Sequence, residues 1–267
     1  MVVQCAGRGY IPVMDIQRSA AQPSMTPAAI RREDYAPPAW RVPDTRLDFA
    51  LDPAETHVRA TLSVVRDGAH DEPLRLDGAG QVPLSVKVDG VAVTDWRIEG
   101  EQLVVPLPGD AHEVETEVVI APDHNTQLMG LYASGGNLCT QCEAEGFRRI
   151  TFFPDRPDVL SVYRVRMTAD RGRYPVLLAN GDPVASGEND DGTHWAEWHD
   201  PFPKPSYLFA LVAGRPGGQR RNLHHDERAR GALRHLGPRR RPAQDHPCAP
   251  RAEAVHGLGR AGLWPRI

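Results

Sequence analysis

The chain has 267 residues, 40% of them hydrophobic and 25% charged, with a formal net charge of −4. That is enough chain, with ordinary apolar content, for one large or two ordinary domains and a real core. No run of 18 apolar residues occurs, so no membrane-spanning helix is expected. The start, Met1 to Ser19, lacks a basic stretch followed by an apolar core, and the four cysteines (Cys5, Cys139, Cys142, Cys248) are too scattered for a disulfide framework. A reducing, cytoplasmic setting is the expectation.

Residues 1–29 are rich in Ala, Pro and Gln without periodicity and read as a disordered or mis-assigned extension, with Met25 as an alternative start. Residues 30–214 read as folded. Leu47, Phe49 and Leu51 alternate with polar neighbours, as do Val58, Ala60, Leu62 and Val64, then Val82, Leu84, Val86 and Val88. Such alternation puts each set on one buried strand face. Asp89-Gly90 marks a tight hairpin leading into Val91 and Val93. Further strands are expected over 103–107, 114–120, 161–169 and 174–179, with Asn180-Gly181 as a second hairpin turn. The run Tyr207–Val212 suits a central strand. No stretch shows a strong helical period. Many short strands separated by Gly and Pro turns predict an all-β, sandwich-like domain.

Residues 215–267 change character. They hold 12 Arg and 5 His against 4 acids, a formal +8 that leaves −12 on residues 1–214. A basic arm for nucleic acid is one reading. Out-of-frame translation of GC-rich DNA explains the Arg, Pro, Ala, Gly and His mixture more simply and is preferred, with an irregular tail as the outcome.

Three segments in order carry a resemblance. They are Leu-Cys-Thr-Gln-Cys-Glu-Ala-Glu-Gly-Phe-Arg (138–148), Ile-Thr-Phe-Phe-Pro-Asp-Arg-Pro-Asp-Val-Leu (150–160) and Trp-His-Asp-Pro-Phe-Pro-Lys-Pro-Ser-Tyr-Leu-Phe-Ala-Leu-Val-Ala-Gly (198–214). Tyr35–Trp40 and Glu72–Gly78 fit the same pattern. Together they resemble the N-terminal β-domain of bacterial aminopeptidase N, a zinc metallopeptidase family of the gluzincin type. The resemblance spans about residues 30–214. It implies that Glu143 anchors the free α-amine of a peptide substrate and that Gln141 lines the first substrate pocket. An ammonium leaving water needs an opposite charge and hydrogen bonds, and only a peptide N-terminus supplies one there. The family's Gly-x-Met-Glu-Asn loop and H-E-x-x-H helix are absent, and the resemblance stops at Gly214. The expectation is therefore a chain truncated before its catalytic domain. It would have no zinc or other cofactor of its own, no catalytic residue and no activity alone. A sandwich lacking its last strands should also aggregate. A non-catalytic β-module that binds peptides, or nucleic acid through the tail, is the alternative.

Other candidates weigh less. Cys139-x-x-Cys142 has the spacing of half a zinc site or a redox pair, but lacks further ligands and a strand-to-helix setting. His112-Glu113 continues Val114-Glu115-Thr116, and His224-His225-Asp226-Glu227 also lacks two His four apart. Asp155-Arg156-Pro157 reads as a structural loop. Trp195, Trp198, Phe202 and Tyr207 read as core or interdomain packing rather than a sugar-binding face.

Overall fold

The structure, a computed structural model, describes residues 32–215, 217–224 and 230–237. The chain divides into two compact units at Pro37 and Pro38. In the described part of the first, Arg32–Asp34 form one 3-10 turn, and the Tyr35 N–H donates to the Arg32 carbonyl at 3.2 Å.

Among the described residues of the second unit, the regular elements are all strands apart from two further 3-10 turns. Its strands are β1 (Trp40–Leu51), β2 (Thr56–Arg66), β3 (Leu74–Asp77), β4 (Ser85–Val88), β5 (Val91–Ala92), β6 (Arg97–Glu99), β7 (Gln102–Val105), β8 (Ala111–Ile120) and β9 (Gly130–Ser134). They continue with β10 (Asn137–Gln141), β11 (Ser161–Asp170), β12 (Val176–Ala179), β13 (Asp182–Glu188), β14 (Thr193–Lys204), β15 (Leu211–Gly214), β16 (Gly217–His224) and β17 (Arg230–Gly237). An eight-stranded sheet runs β13-β14-β11-β1-β2-β8-β4-β5, beside a four-stranded sheet β12-β15-β10-β9 and a three-stranded sheet β3-β7-β6. Among described pairs only β1 with β11 is parallel. Within the segment whose composition reads as a tail, β16 and β17 pair with each other in antiparallel register.

The alternation read from sequence is the reason the large sheet forms. Leu47, Phe49 and Leu51 on β1 and Val58, Ala60, Leu62 and Val64 on β2 are all buried. They join Leu74 and Leu76 of β3, Leu103 and Val105 of β7, Leu138 of β10 and Leu211 of β15 in one core cluster drawn from three sheets. The intervening residues face outward as a charged lattice. Arg59 lies 3.7 Å from Glu115 and 3.6 Å from Glu117, Lys87 lies 2.7 Å from Glu115, and Arg166 pairs with Glu197. Such exposed pairs add little stability each but keep this face wet and in register.

Three expectations need correction. Val82 and Leu84 are not buried strand residues. They are 71% and 62% exposed in the loop before β4, and only Val86 of that series is fully buried. Asn180-Gly181 does not close a hairpin, because β12 belongs to the four-stranded sheet and β13 to the eight-stranded one. The chain crosses between sheets there, with φ +84° at Gly181, and an added Cβ would lie 2.2 Å from the His199 carbonyl oxygen. Residues 207–212 are not one strand. Ser206–Leu208 form a 3-10 turn, and only Leu211–Gly214 join a sheet, though in a central position between β12 and β10. The Asp89-Gly90 hairpin is as expected, with both residues at positive φ (51° and 78°) between β4 and β5.

Candidate functional site

The site grows from the β9–β10 hairpin, which turns at Gly135-Gly136, both at positive φ. Gln141 is the last residue of β10 and pairs with Gly130. The chain then leaves the sheet through Cys142, Glu143 and a cis Glu143–Ala144 peptide, and the Gly146 N–H donates to the Cys142 carbonyl at 2.8 Å. Gln141 and Glu143 are exposed, while Cys142 between them is buried. The Gln141 Nε2 amide reaches the Glu143 carbonyl at 3.5 Å. Glu143 has no cationic partner among the described residues, whereas Glu145, two residues on, lies 3.3 Å from Arg148.

Packing under the loop leaves it little freedom. A Cβ on Gly146 would meet the Gln141 carbonyl oxygen at 2.4 Å, the Cys142 Cα at 2.9 Å and the Gly130 nitrogen at 3.1 Å. The chain next forms a 3-10 turn, Phe147–Arg149. The Phe147 ring is fully buried, edge-on to Phe153 at 5.1 Å and to Phe209 at 5.2 Å. Asp155 accepts from the Arg148 backbone N–H and Nε, both at 3.1 Å, and from the Ser206 hydroxyl. Its own N–H donates to Asp77 at 3.0 Å, and Gln102 donates to the other Asp77 oxygen at 2.9 Å. Burial disfavours the Arg148 charge, but Asp155, Asp77 and Glu145 outweigh this and raise its pKa. A buried carboxylate is tolerable only when its lone pairs are taken up in this way. The 150–160 motif is therefore a brace for the loop, as the sequence reading of Asp155-Arg156-Pro157 expected.

Burial, helped by the nearby Asp155 charge, pushes the Cys142 thiol up to about 12. Cys139 is half-exposed on β10, beside Tyr132 of β9, and neither thiol is in a disulfide. A buried, high-pKa thiol makes a poor metal ligand and a poor redox nucleophile. His112-Glu113 lies on strand β8, not on a helix, and the His112 Nδ1 is engaged with Asp89 at 2.7 Å. His225, Asp226 and Glu227 lie outside the described residues. Of the aromatics, Trp195 stacks under Arg166 at 3.9 Å, Trp198 packs against the core, and Phe202 is 75% exposed. Among the described residues no group of three or more His, Cys, Asp or Glu is placed to hold a metal ion. Sequence reasoning missed Gly130, Gly146, Asp77 and Ser206, which hold the loop. A glycine just before Phe147 was the only local signal.

Residues 85–208 match the Peptidase M1 N-terminal domain family. Aminopeptidase N of Caulobacter vibrioides is 55% identical over 191 residues, and that of Escherichia coli 48% over 188 residues. These matches identify the N-terminal domain of the M1 peptidases within this chain. The M1 likeness extends to solved structures. Aminopeptidase A of Legionella pneumophila, crystallised with aspartic acid, superimposes with a TM-score of 0.74 and 29% identity, covering 79% of this chain and 25% of that one. An M1 zinc metallopeptidase from Deinococcus radiodurans shares the fold at a TM-score of 0.63 and 19% identity, over 77% of this chain and 49% of that one. The matches cover 71% and 70% of this chain for the two aminopeptidases N, but the chain spans only about 22% of the length of each.

Proposed function

We propose that this domain forms one wall of an aminopeptidase cleft, where Glu143 receives the α-ammonium of a peptide N-terminus and Gln141 borders the first side-chain pocket. The observation that carries the reading is a loop fixed from below by Gly130, Gly146 and Phe147, presenting Glu143 outward without a cation of its own. A carboxylate held in place at the end of a cleft selects substrates with a free amine, because an acylated N-terminus offers it no charge. Residues 1–214, at a formal −12, favour cationic N-termini at long range, with salt screening. On this reading the domain contributes binding and not bond cleavage, so the chain by itself should turn over no peptide. We assign it to a reducing cytoplasm, in keeping with the unpaired Cys139 and Cys142.

The test is a graft of this domain in place of the matching region of the Caulobacter vibrioides enzyme. The graft should hydrolyse aminoacyl anilides and reject N-acetylated ones. Glu143→Gln should cost roughly 10- to 100-fold in kcat/KM, mainly through KM, as for loss of a hydrogen bond between charged groups. It should also narrow the gap to the acetylated substrate. Gln141→Ala should instead alter preference among first residues. A Glu143→Gln graft with unchanged kcat/KM would remove the assignment.

A further inference from the structure

On the other side of the same turn lies a second unpaired charge. Arg149 is half-buried, and its stem packs against Gly130, whose missing Cβ would fall 2.8 Å from the Arg149 Cβ. Unlike Arg148, its guanidinium has no hydrogen bond or ion pair among the described residues. It lines a pocket of about 290 Å³ whose other walls are the loops Ala79–Gln81 and His124–Gln127, with an apolar floor of Val119, Ile120, Ala121 and Leu131. No carboxylate lines this pocket, although the domain around it is strongly acidic. Gln141 and Glu143 are not part of it.

The Ala79–Gln81 wall carries donors as well. The Ala79 N–H is used, donating to the Arg148 carbonyl at 3.0 Å, and the Gln81 side chain donates to the same carbonyl. This ties the loop to the turn that bears Arg149. The backbone N–H groups of Gly80 and Gln81 have no acceptor among the described residues, and Gly80 sits at φ +74°. Consecutive free N–H groups around a left-handed residue form a concavity suited to anions. A guanidinium beside it adds a planar fork that matches carboxylate and phosphate oxygens. On the third wall, Asn125 is occupied within its own loop, donating to the Met129 and Leu131 carbonyls. Thr126 and Gln127 remain to border the ligand.

We propose that this pocket binds a small oxyanion, held by the Arg149 guanidinium and the Gly80 and Gln81 N–H groups. The carboxylate of a peptide C-terminus and inorganic phosphate share the required chemistry. The inference stands apart from the role given to Glu143.

The test is an amide-resolved NMR titration of the full chain at fixed ionic strength, with inorganic phosphate in one series and N-acetylglycine in the other. The Gly80, Gln81 and Thr126 amides should shift saturably, and the series that saturates at lower concentration identifies the source. Arg149→Met keeps the stem on Gly130 and should weaken binding about tenfold or more, as for loss of a charge-assisted pair. Arg149→Lys should fall between. Arg164→Met makes the same change in net charge on the large sheet and should leave the shifts intact. If Arg149→Met fails to fold, the comparison with Arg149→Lys decides. Absence of saturable shifts with both anions, shifts that survive Arg149→Met, or equal loss in Arg164→Met would overturn the proposal.

Discussion

Gly146→Ala separates conformational from steric roles of a glycine. Gly146 has φ −87° and ψ −18°, a helical conformation open to any residue. A Gly→Ala change at such a position ordinarily stabilises by about 0.4–1 kcal/mol, because the unfolded chain loses freedom. Here the new methyl would sit 2.4 Å from the Gln141 carbonyl oxygen, roughly 1 Å inside a normal contact. The next two neighbours, at 2.9 and 3.1 Å, are also backbone atoms, so no side chain can swing away. Overpacking of this kind costs about 1–3 kcal/mol, which exceeds the entropic gain. The expected net loss is about 1–2 kcal/mol, or about 2–8 °C in Tm for a domain of this size. Gly172→Ala is the control, since its nearest neighbour is the tip of the Asp170 side chain at 3.2 Å. Urea denaturation of the three proteins measures the difference. A Gly146→Ala protein as stable as wild type would mean that the loop under Gln141 and Glu143 is loose, and the argument from rigidity would fail.

Asp155→Asn leaves Arg148 with weaker partners in a half-buried setting and should destabilise by about 3 kcal/mol, seen as a lower urea midpoint; a loss below about 1 kcal/mol would show the brace to be incidental. Asp48 behaves oppositely. Burial raises its pKa despite Arg59 and Arg166, so its folded pKa lies above the unfolded value and its ionisation destabilises the fold as pH rises through the carboxylate range. Asp48→Asn should therefore raise Tm at pH 7 (about neutral) and do little in acid, and a lowered Tm at neutral pH would show that the ion pairs outweigh burial. Alkylation at mildly alkaline pH, followed by peptide mapping, should label Cys139 well before Cys142, whose thiol is pushed up to about 12. Comparable labelling of both would contradict the buried setting of Cys142.

Long strands were legible because one face is apolar and the other charged. On β1 and β2 nearly every second residue is buried and the rest meet water. Val82 and Leu84 show the limit of that signal: Leu84 donates its N–H to Glu117 of β8, yet its side chain stays exposed, so alternation alone does not establish a buried face. Asn180-Gly181 shows another. Its dipeptide correctly marks a turn, but the strands on its two sides join different sheets, and the Asn180 side chain is bound to the distant Leu208 carbonyl and Ala210 N–H. Nothing local encodes that crossing. Gln141 and Glu143 are polar loop residues by composition, and only the run from Leu138 to Arg148 with its family likeness singled them out. The Arg149 pocket was not legible at all, since its walls come from residues 79–81, 119–121, 124–127, 131 and 149, brought together by folding.

The two arginines of the 3-10 turn carry the final argument. Arg148 and Arg149 are neighbours of the same type and similar exposure, and sequence gives no reason to treat them differently. The fold surrounds Arg148 with Asp77, Glu145 and Asp155, so its charge is spent on holding the turn. It gives Arg149 a polar pocket and no counter-ion among the described residues. Glu143 and Glu145 divide in the same way, one left unpaired and the other bound to Arg148. A charge that is partly desolvated or held on a fixed loop, yet unpaired, gains more from a ligand of opposite sign than a fully solvated one does. The turn braced by Arg148 thus presents one such carboxylate and one such guanidinium, and the graft and the anion titration examine each without relying on the other.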